Sequence, residues 1–210
     1  GIPFSDPQAD GPIMQKYSQQ ALNNGITLKK IFEQITAIRK NTNVPLALMG
    51  YYNPILKMGH ETFLNNCVSA GVDGLILPDL PLDEATPFCE LAKAKGISPI
   101  LLVAPNTSNN RIRKISELAS DLIYAVSILG ITGNDLASKD ELAEYLNRVS
   151  KYSVTPFVVG FGIRTRDDVI WFNEHSDGAV VGSAILKNMD GQSDPVNETK
   201  ILIKDLKGTI

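Results

Sequence analysis

Two strings near the end of the chain decide its architecture: Pro156-Phe157-Val158-Val159-Gly160-Phe161-Gly162 and Gly178-Ala179-Val180-Val181-Gly182-Ser183-Ala184. Each is a short, continuous apolar run that stops at glycine. A run that is apolar throughout, rather than at every second residue, reads as a strand of a parallel sheet buried on both faces. Between the two strings, Thr165 with Asp167 and Asp168 marks a helix start, and Val169, Ile170 and Phe172 supply its apolar face. After the second, Gly182-Ser183-Ala184 opens a short helical stretch to about Asn188. The unit is therefore strand, glycine-bearing turn, helix, strand.

The same rhythm extends back along the chain. Apolar runs recur at Val44–Met49, Gly74–Leu77, Pro99–Val103 and Leu122–Val126. Helical spacing separates them: Ile31, Ile35 and Ile38 within Leu28–Lys40; Phe63, Cys67, Val68 and Ala70 before Gly71; Phe88, Leu91 and Ala92 before Gly96; Ile112, Ile115 and Leu118; Leu142, Tyr145, Leu146 and Val149; finally Ile201, Ile203 and Leu206. Asp83 before Glu84 and Asp140 before Glu141 read as helix caps, and Gly71 and Gly96 as left-handed helix ends. Six strand–helix units in alternation predict a parallel α/β sheet, open or closed. The closed form is a (β/α)8 TIM barrel, here missing the first strand–helix unit and most of the second strand, with about fifty residues expected upstream. A doubly wound open sheet is the alternative. The chain starts at Gly1 without a Met, which fits a piece of something longer. No linker or low-complexity tract divides residues 1–210, so one domain is expected.

Composition narrows the function. With 20 Lys and Arg against 23 Asp and Glu, the net charge of −3 argues against a nucleic-acid binder relying on bulk charge, while leaving room for a local phosphate pocket. Two cysteines, Cys67 and Cys89, cannot form a disulfide framework, and no apolar run approaches a membrane span. A cytoplasmic protein is the simplest expectation. His60 and His175 have no carboxylate or thiol at ligand spacing, so no metal is expected, and no GxSxG or paired Cys and His is present.

In a barrel, chemistry sits at the C-terminal ends of the strands. The glycines at 160, 162 and 182 let backbone N–H groups approach an oxyanion, with a helix start behind the second set, which points to a phosphate cradle. The glycines of Gly130-Ile131-Thr132-Gly133-Asn134 suit either a loop that closes over a substrate or an ordinary surface connection. The turn-rich segment Gly1–Pro12 holds Asp6 and Asp10. Either could serve as a general base, and Asp10 could instead cap the helix starting at Pro12, the role its spacing favours.

Several of these strings resemble one family. Gly1-Ile2-Pro3-Phe4-Ser5-Asp6-Pro7-Gln8-Ala9-Asp10-Gly11-Pro12 is similar to the signature of the tryptophan synthase α subunits, as are Pro78-Asp79-Leu80-Pro81, Gly130-Ile131-Thr132-Gly133, Gly160-Phe161-Gly162 and Gly182-Ser183. The resemblance implies a barrel lyase of tryptophan biosynthesis. It would cleave indole-3-glycerol phosphate to indole and glyceraldehyde 3-phosphate by a retro-aldol reaction. No metal or organic cofactor is implied, and indole would pass to a PLP-containing β subunit in an α2β2 heterotetramer. By resemblance, Asp10 is the aspartate that accepts the indole N–H, and Tyr124 is an active-site tyrosine. Tyr51 and Phe161 pack round the indole and its side chain. Gly133, Gly162, Gly182 and Ser183 form the phosphate site, and Thr132 orders the aspartate from the closing loop. Pro3, Asp6, Pro7, Asn53 and Pro81 face the β subunit.

The family's proton-shuttling glutamate falls two residues before Gly1, outside these 210 residues, so little or no activity is expected of them alone. Pro78, Ile128 and Leu129 also depart from residues seen in relatives. Two other readings follow from the same features: a phosphate-ligand module that activates a partner without catalysis, and another barrel enzyme acting on a phosphorylated metabolite.

Overall fold

The computed structural model describes residues 1–119, 121–127 and 138–209. Helices α1 (Pro12–Asn23) and α2 (Leu28–Arg39) precede strand β1 (Ala47–Met49). Then follow α3 (Tyr52–Met58), α4 (His60–Ala70), β2 (Gly74–Ile76), α5 (Leu82–Ala94), β3 (Ser98–Val103), α6 (Asn109–Leu118) and β4 (Ile123–Val126). The chain continues through α7 (Lys139–Tyr152), β5 (Phe157–Gly160), α8 (Arg166–His175), β6 (Gly178–Val180), α9 (Ser183–Met189) and α10 (Pro195–Lys207). Each apolar run of the sequence holds one strand.

Among the described residues the six strands form one sheet in the order β1-β2-β3-β4-β5-β6, and every neighbouring pair is parallel. Each strand lies beside the next and the order never turns back. Right-handed crossovers then place all connecting helices on one face, which is an arc of a barrel. A doubly wound sheet would reverse its order at a switch point, and this one does not. The arc ends at β1 on one side and β6, only half-buried along its length, on the other. Beyond β1, the Ile2 N–H donates to the Met49 carbonyl at 2.7 Å, so the first residues run alongside the C-terminal end of β1.

The apolar faces pack as two clusters. Ile31, Ile35, Phe63, Leu64, Cys67, Leu75 and Phe88 belong to one, built on β1 and β2. Leu101, Ile112, Ile123, Leu146, Val149, Phe157 and Phe172 belong to the other, built on β3 to β5. Half-buried Leu80 packs against both. At the N-terminal ends of the first strands Arg39 ties the loops together. Its guanidinium donates to the carbonyls of Gly71 and Val44, each at 2.6 Å, and pairs with Asp73.

Several local expectations need correction. Val68 and Ile170 are each 48% exposed, because both lie past the edge of the stripe their neighbours bury. Ile201 and Ile203 are exposed as well, and Leu206 is the buried residue of α10. Helix α5 is preceded by Pro81 with no side-chain cap, leaving Asp83 inside the first turn. Helix α7 is capped by Ser138 in a capping box with Glu141, so Asp140 too is a first-turn residue. The helix start expected at Thr165 is present, and there Asp168 closes a capping box.

Candidate active site

The loops that follow the strands converge at one end of the sheet. After β5 the chain turns through Phe161 and Gly162, with φ of 75° and 81°. Phe161 is the only non-glycine residue with positive φ among the described residues, a conformation that costs an L-residue about 1–2 kcal/mol. After β6, Gly182 and Ser183 start α9. From β4, Tyr124 points to the same side, its ring edge-on to Phe161 with centroids 6.0 Å apart. A Cβ at Gly160 would overlap the Tyr124 hydroxyl, so that glycine is what leaves the tyrosine its place.

These residues line a cavity of about 690 Å³, and Asp10 lines it from the N-terminal segment. Its volume falls within the range of small-molecule sites. Six of the residues expected at the site therefore meet in one space: Asp10, Tyr124, Phe161, Gly162, Gly182 and Ser183. Tyr51 does not line it but stands behind it. The Tyr51 hydroxyl accepts the Ala9 N–H at 2.9 Å, and the ring packs on Phe4 with centroids 5.5 Å apart. Tyr51 thus holds the segment that presents Asp10.

Asp10 does not cap α1. Gly11 is the N-cap and makes no side-chain bond, so the carboxylate is left for the cavity. Burial raises the Asp10 pKa above the ordinary carboxylate value, and the neighbouring Tyr51 hydroxyl acts in the opposite direction. Burial also pushes the Tyr51 and Tyr124 phenols up to about 12, so both keep their protons at neutral pH. The buried thiols rise likewise, Cys67 to about 12 and Cys89 to about 11, which leaves them poor nucleophiles.

Sequence reasoning missed part of the lining. Met49, Ile13, Met14, Lys187 and Asn188 also face the cavity, and the Asn188 Nδ2 is buried without a hydrogen-bond partner among the described residues. Nothing in their spacing singles them out, since apolar and helix-borne residues become site residues only through tertiary placement. Helices α1 and α9, which carry most of them, are joined by the Lys16–Asp190 ion pair at 2.7 Å. Thr132 and Gly133 lie outside the described residues, as do Ile128 and Leu129. Pro78 lies away from the large cavity. It lines a smaller one of about 340 Å³ with Asp79, Pro81 and Arg111.

Pro3, Asp6, Pro7, Asn53 and Pro81 fall in the N-terminal segment, in the first turn of α3 and just before α5. Asn53 and Pro81 thus follow β1 and β2 at the cavity end of the sheet. Asp6, Asn53 and Pro81 are exposed, and Pro3 and Pro7 are half-buried. No helix among the described residues is long and apolar enough to cross a membrane.

Comparison with known proteins bears on the family and the fold. The profile of the family described as "Tryptophan synthase alpha chain" matches residues 1–208. The tryptophan synthase alpha chain of Petrotoga mobilis is 49% identical over 207 residues, covering 99% of this chain and 79% of that one. The corresponding chain of Methanocaldococcus jannaschii is 45% identical, covering 95% and 72%. Among solved structures, a tryptophan synthase alpha-subunit of Pyrococcus furiosus superposes with a TM-score of 0.90 at 35% identity, covering 99% of this chain and 84% of that one. The α2β2 complex of the same organism contains a chain that superposes with a TM-score of 0.87 at 35% identity, covering 99% and 83%. With the barrel arc, the cavity at its strand ends and this similarity in agreement, the chain belongs to the tryptophan synthase alpha chain family, which cleaves indole-3-glycerol phosphate in tryptophan biosynthesis.

Proposed function

We propose that this chain binds indole-3-glycerol phosphate in the 690 Å³ cavity, as a single barrel domain, and that the named residues divide the work. The convergence of Asp10 with the two glycine-bearing strand ends carries the reading. The ionised Asp10 carboxylate accepts the indole N–H. Protonation of the ring at C3 spreads positive charge onto that nitrogen, and a fixed carboxylate stabilises the charge as it develops. The hydroxyl on the chain carbon attached to C3 then gives up its proton to a base, the bond from that carbon to C3 breaks with its electron pair returning to the ring, and indole and an aldehyde phosphate are left.

Tyr124 and Phe161 wall the indole and its chain, with Tyr51 behind Asp10. Backbone N–H groups at Gly162, Gly182 and Ser183 take the phosphate. Gly133 joins them and Thr132 orders Asp10, both from the segment outside the described residues. No metal or organic cofactor enters this scheme. Pro3, Asp6, Pro7, Asn53 and Pro81 form the face toward a tryptophan synthase β subunit, at the end of the sheet where indole would leave.

The proton that reaches C3 needs a second group. The resemblance places it on a glutamate two residues before Gly1. The 210 residues alone are therefore expected to bind ligand and to turn over poorly. Indole release is the assay, run on the 210 residues and on a chain extended upstream through that glutamate. Turnover should be confined to the extended chain. If neither protein releases indole and the folded 210 residues bind neither indole nor glycerol 3-phosphate, the reading fails.

A further inference from the structure

Ser127 follows β4 and is completely buried, yet no step above uses it. Its backbone N–H donates to the Gly160 carbonyl at 3.0 Å, continuing the ladder between β4 and β5. Its hydroxyl also reaches across: Oγ lies 2.8 Å from the Gly160 carbonyl oxygen and within hydrogen-bond distance of the Phe161 carbonyl oxygen. One hydroxyl proton thus serves two successive carbonyls at the point where the backbone enters its positive-φ turn.

We propose that Ser127 is a positioning residue for the phosphate end of the site, acting by fixing the peptide that joins Phe161 to Gly162. In a planar trans peptide the C=O and N–H point in opposite directions. A Phe161 carbonyl held inward against Ser127 therefore turns the Gly162 N–H away from the packed interior, and Gly162 lines the cavity. The hydroxyl also offsets the strain of a left-handed phenylalanine, which would otherwise relax and swing that peptide. Ser127 touches no substrate in this scheme, and the scheme rests on the cavity assignment above.

The test is calorimetric titration of the 210-residue chain with glycerol 3-phosphate and, separately, with indole. Ser127→Ala should weaken glycerol 3-phosphate on the order of tenfold, the scale of one lost charge-assisted hydrogen bond. It should weaken indole much less. Ser127→Thr, which keeps the hydroxyl, should recover the phosphate ester. If the alanine variant does not fold, Ser127→Cys keeps the volume with a weak donor and gives the same comparison. A folded variant without the hydroxyl that binds glycerol 3-phosphate as tightly as the parent overturns the role and leaves the cavity assignment standing. Equal loss of both ligands also overturns it, since that is the mark of a general structural defect. A parent that binds neither ligand overturns the cavity assignment and this role with it.

Discussion

Asp10→Asn is expected to lower turnover of indole-3-glycerol phosphate about a hundredfold to a thousandfold in a chain extended through the upstream glutamate. That is the scale of removing one preorganised electrostatic partner of a developing charge. The amide keeps the shape and one acceptor oxygen but lacks the negative charge, so the loss should fall on kcat more than on KM. Stability should move the other way. Burial holds the Asp10 carboxyl above its ordinary value, so the unfolded chain releases this proton more readily than the folded one does. The resulting stabilisation is complete below the unfolded-state pKa of about 3.9 and drains away as pH rises through the higher folded value. Asparagine does not titrate and escapes that loss. The melting temperature of Asp10→Asn relative to the parent should therefore be more favourable at pH 7 than at pH 3. Unimpaired turnover would remove Asp10 from the chemistry, and a relative melting temperature that falls between pH 3 and pH 7 would contradict the direction of its pKa.

Gly160→Ala should be the most damaging single methyl group in the described part of the chain. The new Cβ would overlap the Tyr124 Oη and Cζ and stand 2.8 Å from Cε1. Tyr124 is buried between its strand and the Phe161 ring, and Gly160 is paired on both sides, to Val126 and to Val180. Neither side can give way cheaply. Overpacking of this kind costs about 3 kcal/mol, a fall of roughly 6–12 °C in melting temperature for a chain of this size. Any relief that swings the tyrosine outward fills the cavity, so indole binding should disappear as well. A second change to a smaller side chain, Tyr124→Leu, should return much of the melting temperature without returning catalysis. Thermal unfolding with indole titration decides the matter: a Gly160→Ala protein that melts within about a degree of its parent and binds indole normally would mean that the contact is softer than its geometry.

The strands were the most legible part of this chain. Runs such as Pro99–Val103 and Pro156–Val159 are apolar at every position because both faces are buried, and proline or glycine bounds them. The glycine-bearing ends were legible for a related reason, since a backbone that must turn sharply leaves its mark in residue type. Side-chain roles were less so. Spacing favoured Asp10 as a helix cap, and only the placement of Gly11 in that position frees its carboxylate. Ser127 drew no reading at all, because a hydroxyl bonded to a carbonyl 33 residues away has no local signature. Lys187 and Asn188 were invisible for the same reason: which face of α9 meets the cavity depends on where α1 and α10 lie.

The division of the apolar interior into two clusters that meet at Leu80 sets how this protein should come apart. Each cluster can open as its own cooperative unit, so amide exchange should fall into two tiers rather than one. The 690 Å³ cavity lies away from Leu80 but takes its lining from both ends of the sheet. Asp10 and Met49 come from the side of β1, and Tyr124, Phe161 and Gly182 from the side of β4 to β6. A bound substrate then ties the β1 end of the sheet to the β4 to β6 end, and its arrival should merge the two tiers by protecting both halves at once.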